Sequence, residues 1–229
     1  MVFSVNDIAQ VATALAPSGL TLRGTFNFSP DEDAPTGPDG RPARGVLLVG
    51  NVGGGFWPVF QRWREQGRAT ISNPLDTWSR EIIGGIGELF DARAVSPSDQ
   101  PFLPFQQWAI RAEALRPSPL GILMHPQYGL WHAYRGALLF SEPFDLIGSP
   151  PRLHLCDGCA AKPCLQSCPV SAHAPAGFNH SGCVYHVRSI AGAACRHVGC
   201  LDRNACPYAV TFRYPADMQA FLMGAYAAG

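Results

Sequence analysis

The sequence predicts an α+β protein in which a mixed helix-and-strand region precedes a short cysteine-rich module. Three observations carry this expectation. Helical and strand periodicities alternate through the first 150 of 229 residues. All eight cysteines lie between Cys156 and Cys206. Charged residues make up only 15% of a chain that is 47% apolar, which is the composition of a packed protein rather than a disordered one. The segment Gly148-Ser149-Pro150-Pro151 is the natural boundary, because paired prolines stop regular structure. It divides the chain into residues 1–150 and 151–229.

From Ser4 to Ala16 the apolar residues Val5, Ile8, Val11, Ala12 and Leu15 recur at helical spacing, with Ser4 or Asn6 as cap and Pro17 and Gly19 as stop. Leu20 to Phe28 alternates with period two, as a half-buried strand does. SPDEDAPTGPDGRPA then reads as a long surface loop, and GVLLVG from Gly45 as a buried central strand. Helical patterns follow over Phe56–Gln66, Leu75–Phe90 and Phe105–Leu115, with Asn73 or Asp76 capping the second. Strands are expected over Ala92–Val95, Leu120–Met124 and Trp131–Phe140. The aromatic sets Trp57, Phe60, Trp63 and Pro101, Phe102, Pro104, Phe105, Trp108 are expected in the core.

Charge and hydropathy exclude several function classes. Lysine plus arginine and aspartate plus glutamate both number 17, so the basic excess of a nucleic-acid binder is missing. The halves differ: 11 basic and 14 acidic residues up to Pro150, then 6 basic and 3 acidic, a bias that suits an anionic inorganic cluster. No apolar run approaches the ~18–20 residues of a membrane span. MVFSVNDIAQ lacks the basic flank and apolar core of a signal peptide, so a cytoplasmic location is expected.

The cysteines carry the chemistry. HLCDGCAAKPCLQSCPVSAH spaces Cys156, Cys159, Cys164 and Cys168 as C-x2-C-x4-C-x3-C-P. A second set, Cys183, Cys195, Cys200 and Cys206, also ends in Cys-Pro. Two-cluster bacterial ferredoxins use a similar run, whose fourth cysteine serves the other cluster. By that logic Cys156, Cys159, Cys164 and Cys206 hold one [4Fe–4S] cluster, and Cys168, Cys183, Cys195 and Cys200 hold the other. Two zinc sites are the rival, since five of the seven histidines, His154, His173, His180, His186 and His197, share this region. Four disulfides are a third arrangement, disfavoured by the cytoplasmic expectation. Lys162, inside the first run, is either a charge for docking an electron donor or a solvated loop residue.

The succession of a helix, PARGVLLVG, GLWHAYRGALLFSEP and CDGCAAKPCLQSCPVSA resembles the core of epoxyqueuosine reductases and their relatives, the corrinoid-dependent reductive dehalogenases. The resemblance implies a nitroreductase-like α/β domain that binds cobalamin, followed by a ferredoxin-like module. It also implies that two clusters pass single electrons to cobalt. The helical repeats that those reductases turn towards transfer RNA have no counterpart in these residues. Nor does their catalytic acid among Arg111, Glu113 and Arg116, so epoxyqueuosine itself is not the expected substrate.

The first half offers cofactor contacts independently of that likeness. Gly53, Gly54 and Gly55 lie between a strand and a helix, where bare backbone amides approach a phosphate or a tetrapyrrole edge. The run from His125 to Gly136 concentrates imidazoles, rings and an arginine. Tyr128 or Tyr134 is a candidate proton donor, Arg135 a candidate anion holder, and His125 and His132 candidate cofactor contacts. The same run also reads as an amphipathic aromatic strand. The function expected is an iron–sulfur oxidoreductase passing electrons to a corrinoid, or alternatively a flavin, and to a small-molecule substrate. A ferredoxin- or flavodoxin-type protein would be the donor. The alternatives are a non-enzymatic electron carrier and a zinc-stabilised interaction protein.

Overall fold

A computed structural model describes residues 5–68, 70–145, 153–174 and 177–228. The capping candidate Ser4 and the boundary Gly148–Pro151 lie outside them. In chain order the elements are α1 (Val5–Leu15), β1 (Thr21–Asn27), β2 (Gly45–Val52), α2 (Trp57–Glu65), α3 (Pro74–Leu89), β3 (Arg93–Val95), α4 (Phe105–Glu113), β4 (Arg116–Pro117), β5 (Leu123–Met124) and β6 (His132–Phe140). They continue with β7 (His173–Ala174), β8 (Gly177–Phe178), α5 (His180–Arg188), α6 (Ala193–Val198), α7 (Leu201–Asn204) and α8 (Ala216–Ala228). The mixture is α+β. Among the described residues no helix is long and apolar enough to cross a membrane.

The chain falls into two compact units, Met1–Ala114 with Ala133–Pro151, and Leu115–His132 with Arg152–Gly229. The segment Leu115–His132 thus groups with the cysteine-bearing residues, where the sequence puts a single cut at residue 150.

The first unit is built on a sheet of order β1-β2-β6-β3. β1 runs antiparallel to β2, from Thr21 opposite Gly50 to Asn27 opposite Gly45, and β3 runs antiparallel to β6. Strand β2 is buried from Gly45 through Asn51, as an uninterrupted apolar run requires of a strand covered on both faces. Helices α3 and α4 pack on β3 and β1, and α1 packs on β1 and α3. The aromatics of α2 are core: Phe56 stacks on Trp78 at 5.5 Å, and Phe60 on Trp63 at 6.0 Å. Each such burial contributes about 1.5–3 kcal/mol.

Two sequence expectations need correction. Phe105 and Trp108 are buried, but Pro101, Phe102 and Pro104, in the loop before α4, are exposed, Phe102 by 70%. Asn73 sits at the start of α3 but makes no capping hydrogen bond with its side chain. Its φ of 48° is left-handed, whereas a capping residue is extended and so aims its side chain at the first free amides.

The second unit has little regular structure in its first half: single turns at Leu155–Gly158 and Pro163–Leu165 and the two-residue pair β7–β8. Helix α8 then packs against α5 and α6. The core around Leu120, Met124 and Leu130 includes Cys164 and Cys206. Arg203 of α7 lies over the rings of Trp131 and Tyr214, at 4.8 and 4.6 Å, and donates to the Leu130 carbonyl. That clamp ties Leu115–His132 to the cysteine-bearing segment.

Glycine is required at Gly50, where a Cβ atom would meet the Ala133 carbonyl oxygen at 2.1 Å. A Cβ at Gly85 in α3 meets nothing within 4 Å. Urea denaturation is expected to show Gly50→Ala destabilising by at least about 1–3 kcal/mol and Gly85→Ala stabilising by about 0.5–1 kcal/mol.

Candidate functional site

All eight cysteines are free thiols. They line two separate cavities of the second unit, four to each. Cys156 comes from the first helical turn and Cys159 directly follows it, Cys164 comes from the second, and Cys206 from the chain leaving α7. Together they border a gap of about 10 Å³ whose other walls include Met124, Leu130, Pro119, Pro207 and Tyr208. Lys162 donates from Nζ to the Cys156 carbonyl at 3.0 Å, which straps the loop between Cys159 and Cys164. Lys162 is thus a brace rather than a solvated loop residue. Cys168, Cys183 of α5, Cys195 of α6 and Cys200 at the start of α7 line the second cavity, of about 170 Å³.

The electrostatics follow the grouping. Burial pushes the Cys156 thiol up to about 11, and Cys206 and Cys164 push it further in the same direction. Burial likewise raises Cys164, Cys183, Cys195, Cys200 and Cys206. The thiols that repel one another belong to one group: Cys206 and Cys159 act on Cys164, Cys168 on Cys183, and Cys168 and Cys183 on Cys195. Four thiolates gathered out of water need a positive centre among them, which is the chemistry of a metal or iron–sulfur ligand set. Among the described residues no three His, Cys, Asp or Glu side chains are drawn together as a single metal ion requires. A four-iron cluster holds its thiolates further apart than a zinc ion, whose sulfurs lie about 2.3 Å from the metal.

Asp202, fully buried, anchors the second cavity. Its Oδ1 accepts from the Ser167 amide at 3.0 Å, and its Oδ2 lies 2.7 Å from His173 Nδ1. His173 stacks on Phe178 at 4.8 Å. His173 and His186 line this cavity, whereas His154, His180 and His197 lie outside both lining sets.

The run from His125 to Gly136 is divided between the units. His125, Tyr128 and His132 belong to the second. His125 Nδ1 accepts from the amides of Gln127 and Tyr128 at 3.1 and 3.2 Å, and its ring stacks on Tyr128 at 4.1 Å. His132 Nε2 meets the Leu123 carbonyl at 2.9 Å. Both imidazoles are buried; His125 holds a local turn, and His132 ties the start of β6 to β5.

Tyr134 and Arg135 belong to the first unit and enter a polar cluster that the sequence does not advertise. Arg23 and Glu113 form a two-pronged ion pair at 3.3 and 3.0 Å, with side chains only 1% and 7% exposed. The Tyr134 hydroxyl donates to the same Glu113 carboxylate. Arg23 reaches the Asn51 carbonyl, Arg135 Nε donates to Asn51 Oδ1 at 2.9 Å, and Asn51 Nδ2 donates to the Gly53 carbonyl at 3.1 Å. The glycine turn is therefore wired to Tyr134 and Arg135 through Asn51. Arg23 and Asn51 escape sequence reasoning, and Glu113 is considered there only as a catalytic acid, because the partners lie far apart in the chain. A charge at a buried position of a strand or helix is the signal that marks them. Arg135 also borders a cavity of about 190 Å³ with Arg80, Ser96 and Asp99.

No protein-family model matches the sequence, and no curated protein does. Solved structures share its fold. Epoxyqueuosine reductase, crystallised with an epoxyqueuosine-modified tRNA stem loop, superposes with a TM-score of 0.52 at 14% identity, over 92% of this chain and 68% of that one. The B12-trafficking protein CblC of C. elegans gives 0.57 at 14% identity, over 97% of this chain and 95% of that one. Epoxyqueuosine reductase from Bacillus subtilis, its catalytic loop swung out of the active site, gives 0.51 at 13% identity, over 92% and 67%. The mixed α+β architecture and the likeness to epoxyqueuosine reductase agree with the sequence resemblance.

Two outcomes are expected. Glu113→Ala leaves the Arg23 charge buried without its partner and costs about 3–5 kcal/mol in urea denaturation. The metal-free chain loses stability at high pH. Cys156 titrates near 11 when folded against an ordinary 9.0, so its contribution is full below pH 9 and lost as pH rises to about 11. The other raised thiols act in the same direction. Thermal unfolding at pH 8 and pH 11 checks this, and an unchanged Tm contradicts it.

Proposed function

We propose that this chain is an iron–sulfur oxidoreductase. In this reading Cys156, Cys159, Cys164 and Cys206 hold one [4Fe–4S] cluster, Cys168, Cys183, Cys195 and Cys200 hold a second, and the first unit holds a corrinoid, with flavin as the alternative. The observation that carries it is the gathering of the eight free thiols into two sets of four, one around a cavity and one around a narrow gap. The donor chemistry fits: all four ligands of each set are sulfur, six of the thiols resist ionisation unless a cation sits among them, and Pro169 and Pro207 follow the last cysteine of each run. The bound clusters would supply single electrons.

The corrinoid is supported by the fold shared with a B12-trafficking protein and with epoxyqueuosine reductase. Residues 1–150 serve as the cofactor domain in this reading and 151–229 as the ferredoxin-like module. Gly53, Gly54 and Gly55 present backbone without side chains, and Asn51 fixes that turn. Arg135 supplies positive charge beside it and holds an anionic group. Tyr134 holds a proton at a hydroxyl already shared with Glu113, which makes it the better placed proton donor of the two tyrosines. Tyr128, His125 and His132, the other candidates in the sequence, belong to the second unit, where Tyr128 stacks on His125. A ferredoxin- or flavodoxin-type protein is the proposed donor and a small molecule the substrate. The net charge of zero offers no electrostatic footprint for a polyanion.

The test is metal analysis with an absorption spectrum on protein purified without oxygen, together with cobalamin and flavin binding. About eight irons per chain with bound corrinoid or flavin is the expected result. Iron with neither cofactor replaces the enzyme by an electron carrier, and colourless protein with about two zincs overturns the redox reading. A native-gel shift of a tRNA stem loop would replace the small-molecule substrate. Cys168→Ser and Cys206→Ser are each expected to lower the iron content from about eight to about four. Cys168→Ser should remove the same spectroscopic signal as Cys183→Ser, and Cys206→Ser the same signal as Cys156→Ser.

A further inference from the structure

Around the second cysteine cavity two polar groups are left over. The Nε2 atom of His186 and the hydroxyl of Tyr226 are both shielded from solvent, and neither makes an aligned hydrogen bond to any protein atom. They come from different helices, α5 and α8, yet both line the cavity of Cys168, Cys183, Cys195 and Cys200. His173, the other imidazole there, is already paired with Asp202. Buried donors are nearly always satisfied, and one left without a partner is costly. Two of them lining one cavity call for an acceptor inside it. Both side chains line the cavity formed by Cys168, Cys183, Cys195 and Cys200, so the acceptors offered to them there are sulfur.

We propose that His186 and Tyr226 are positioning residues that donate hydrogen bonds to the sulfurs of the group held by the second cysteine set, and so raise its reduction potential. The proposal rests on the reading of that set as a cluster ligand set. Adding an electron makes the sulfurs more negative, and a donor aimed at them stabilises the reduced state more than the oxidised one. The first cavity is built differently, against the apolar cluster of Leu120, Met124 and Leu130. The two sets therefore carry different means of setting their potentials.

The experiment uses the full chain, reconstituted without oxygen from ferrous iron and sulfide. Tyr226→Phe and His186→Leu each remove one donor. Tyr185→Phe, at a position 80% exposed on the same helix as His186, is the control. Iron per chain is measured first, then the potentials by electron paramagnetic resonance during a redox titration. The expected result is unchanged iron in every variant and one of the two one-electron waves moved to lower potential. At a fixed ambient potential the reduced-to-oxidised ratio of that cluster falls about tenfold for each donor removed, which is about 59 mV. The other wave and the control stay in place. Full iron with both waves unmoved in both variants overturns the proposal and leaves the cluster reading intact. Loss of half the iron in Tyr226→Phe also overturns it, by making that residue a requirement for holding the cluster. A wild-type chain that takes up no iron or sulfide removes the cluster reading itself, and this proposal with it.

Discussion

Gathering four thiols around each of two sites, with Cys164, Cys195 and Cys206 buried, is the constraint on which the second unit depends. Its path from Leu155 to Pro207 contains single helical turns, a two-residue strand pair and three short helices, none long enough to hold itself together by its own hydrogen bonds. Cys164 and Cys206 are members of its apolar core, so the sulfurs act as packing atoms as well as candidate ligands. Burial favours the neutral thiol and disfavours the charge that a ligand needs. The bare unit is thereby consistent as a packed structure, and its cysteines become ligands only when a positive centre repays their ionisation.

Arginine organises both units, by different means. In the second, Arg203 is enclosed by Trp131 and Tyr214 and bonded to the Leu130 carbonyl, and Arg213 lies over Trp131 as well. The guanidinium is flat and weakly hydrated, so it lies between rings where an ammonium would not. In the first, Arg23 is buried with Glu113, and the carboxylate also accepts from Tyr134. Sharing the carboxylate between two donors satisfies a charge that would otherwise be costly below the surface. The same cluster reaches the glycine turn through Asn51, so the residues best suited to meet a cofactor in this unit are positioned by one network.

Much of the first unit was legible because its signals are local. GVLLVG is a buried strand, and the helices at Trp57, Pro74 and Phe105 begin within a residue or two of their periodic patterns. The misses are local too, but depend on backbone geometry that residue type does not report. Asn73 is a good cap by composition, and a left-handed φ takes its side chain out of use. Phe102 belongs to an aromatic run, and the turn before α4 exposes it. The leftover donors His186 and Tyr226 stand 40 positions apart in the chain, and no spacing rule joins them.

By itself the sequence determined that helices and strands alternate before a cysteine-rich segment, and that GVLLVG and the aromatics of Trp57–Trp63 are core. Those properties follow from periodicities of two and 3.6, which act over a few residues. Tertiary structure alone decided that Leu115–His132 joins the second unit, that Arg23 finds Glu113 some ninety positions away, and that Asp202 stands behind His173. These pairings come from packing, where a buried charge takes whichever partner the folded chain brings within reach, and sequence separation does not enter that choice.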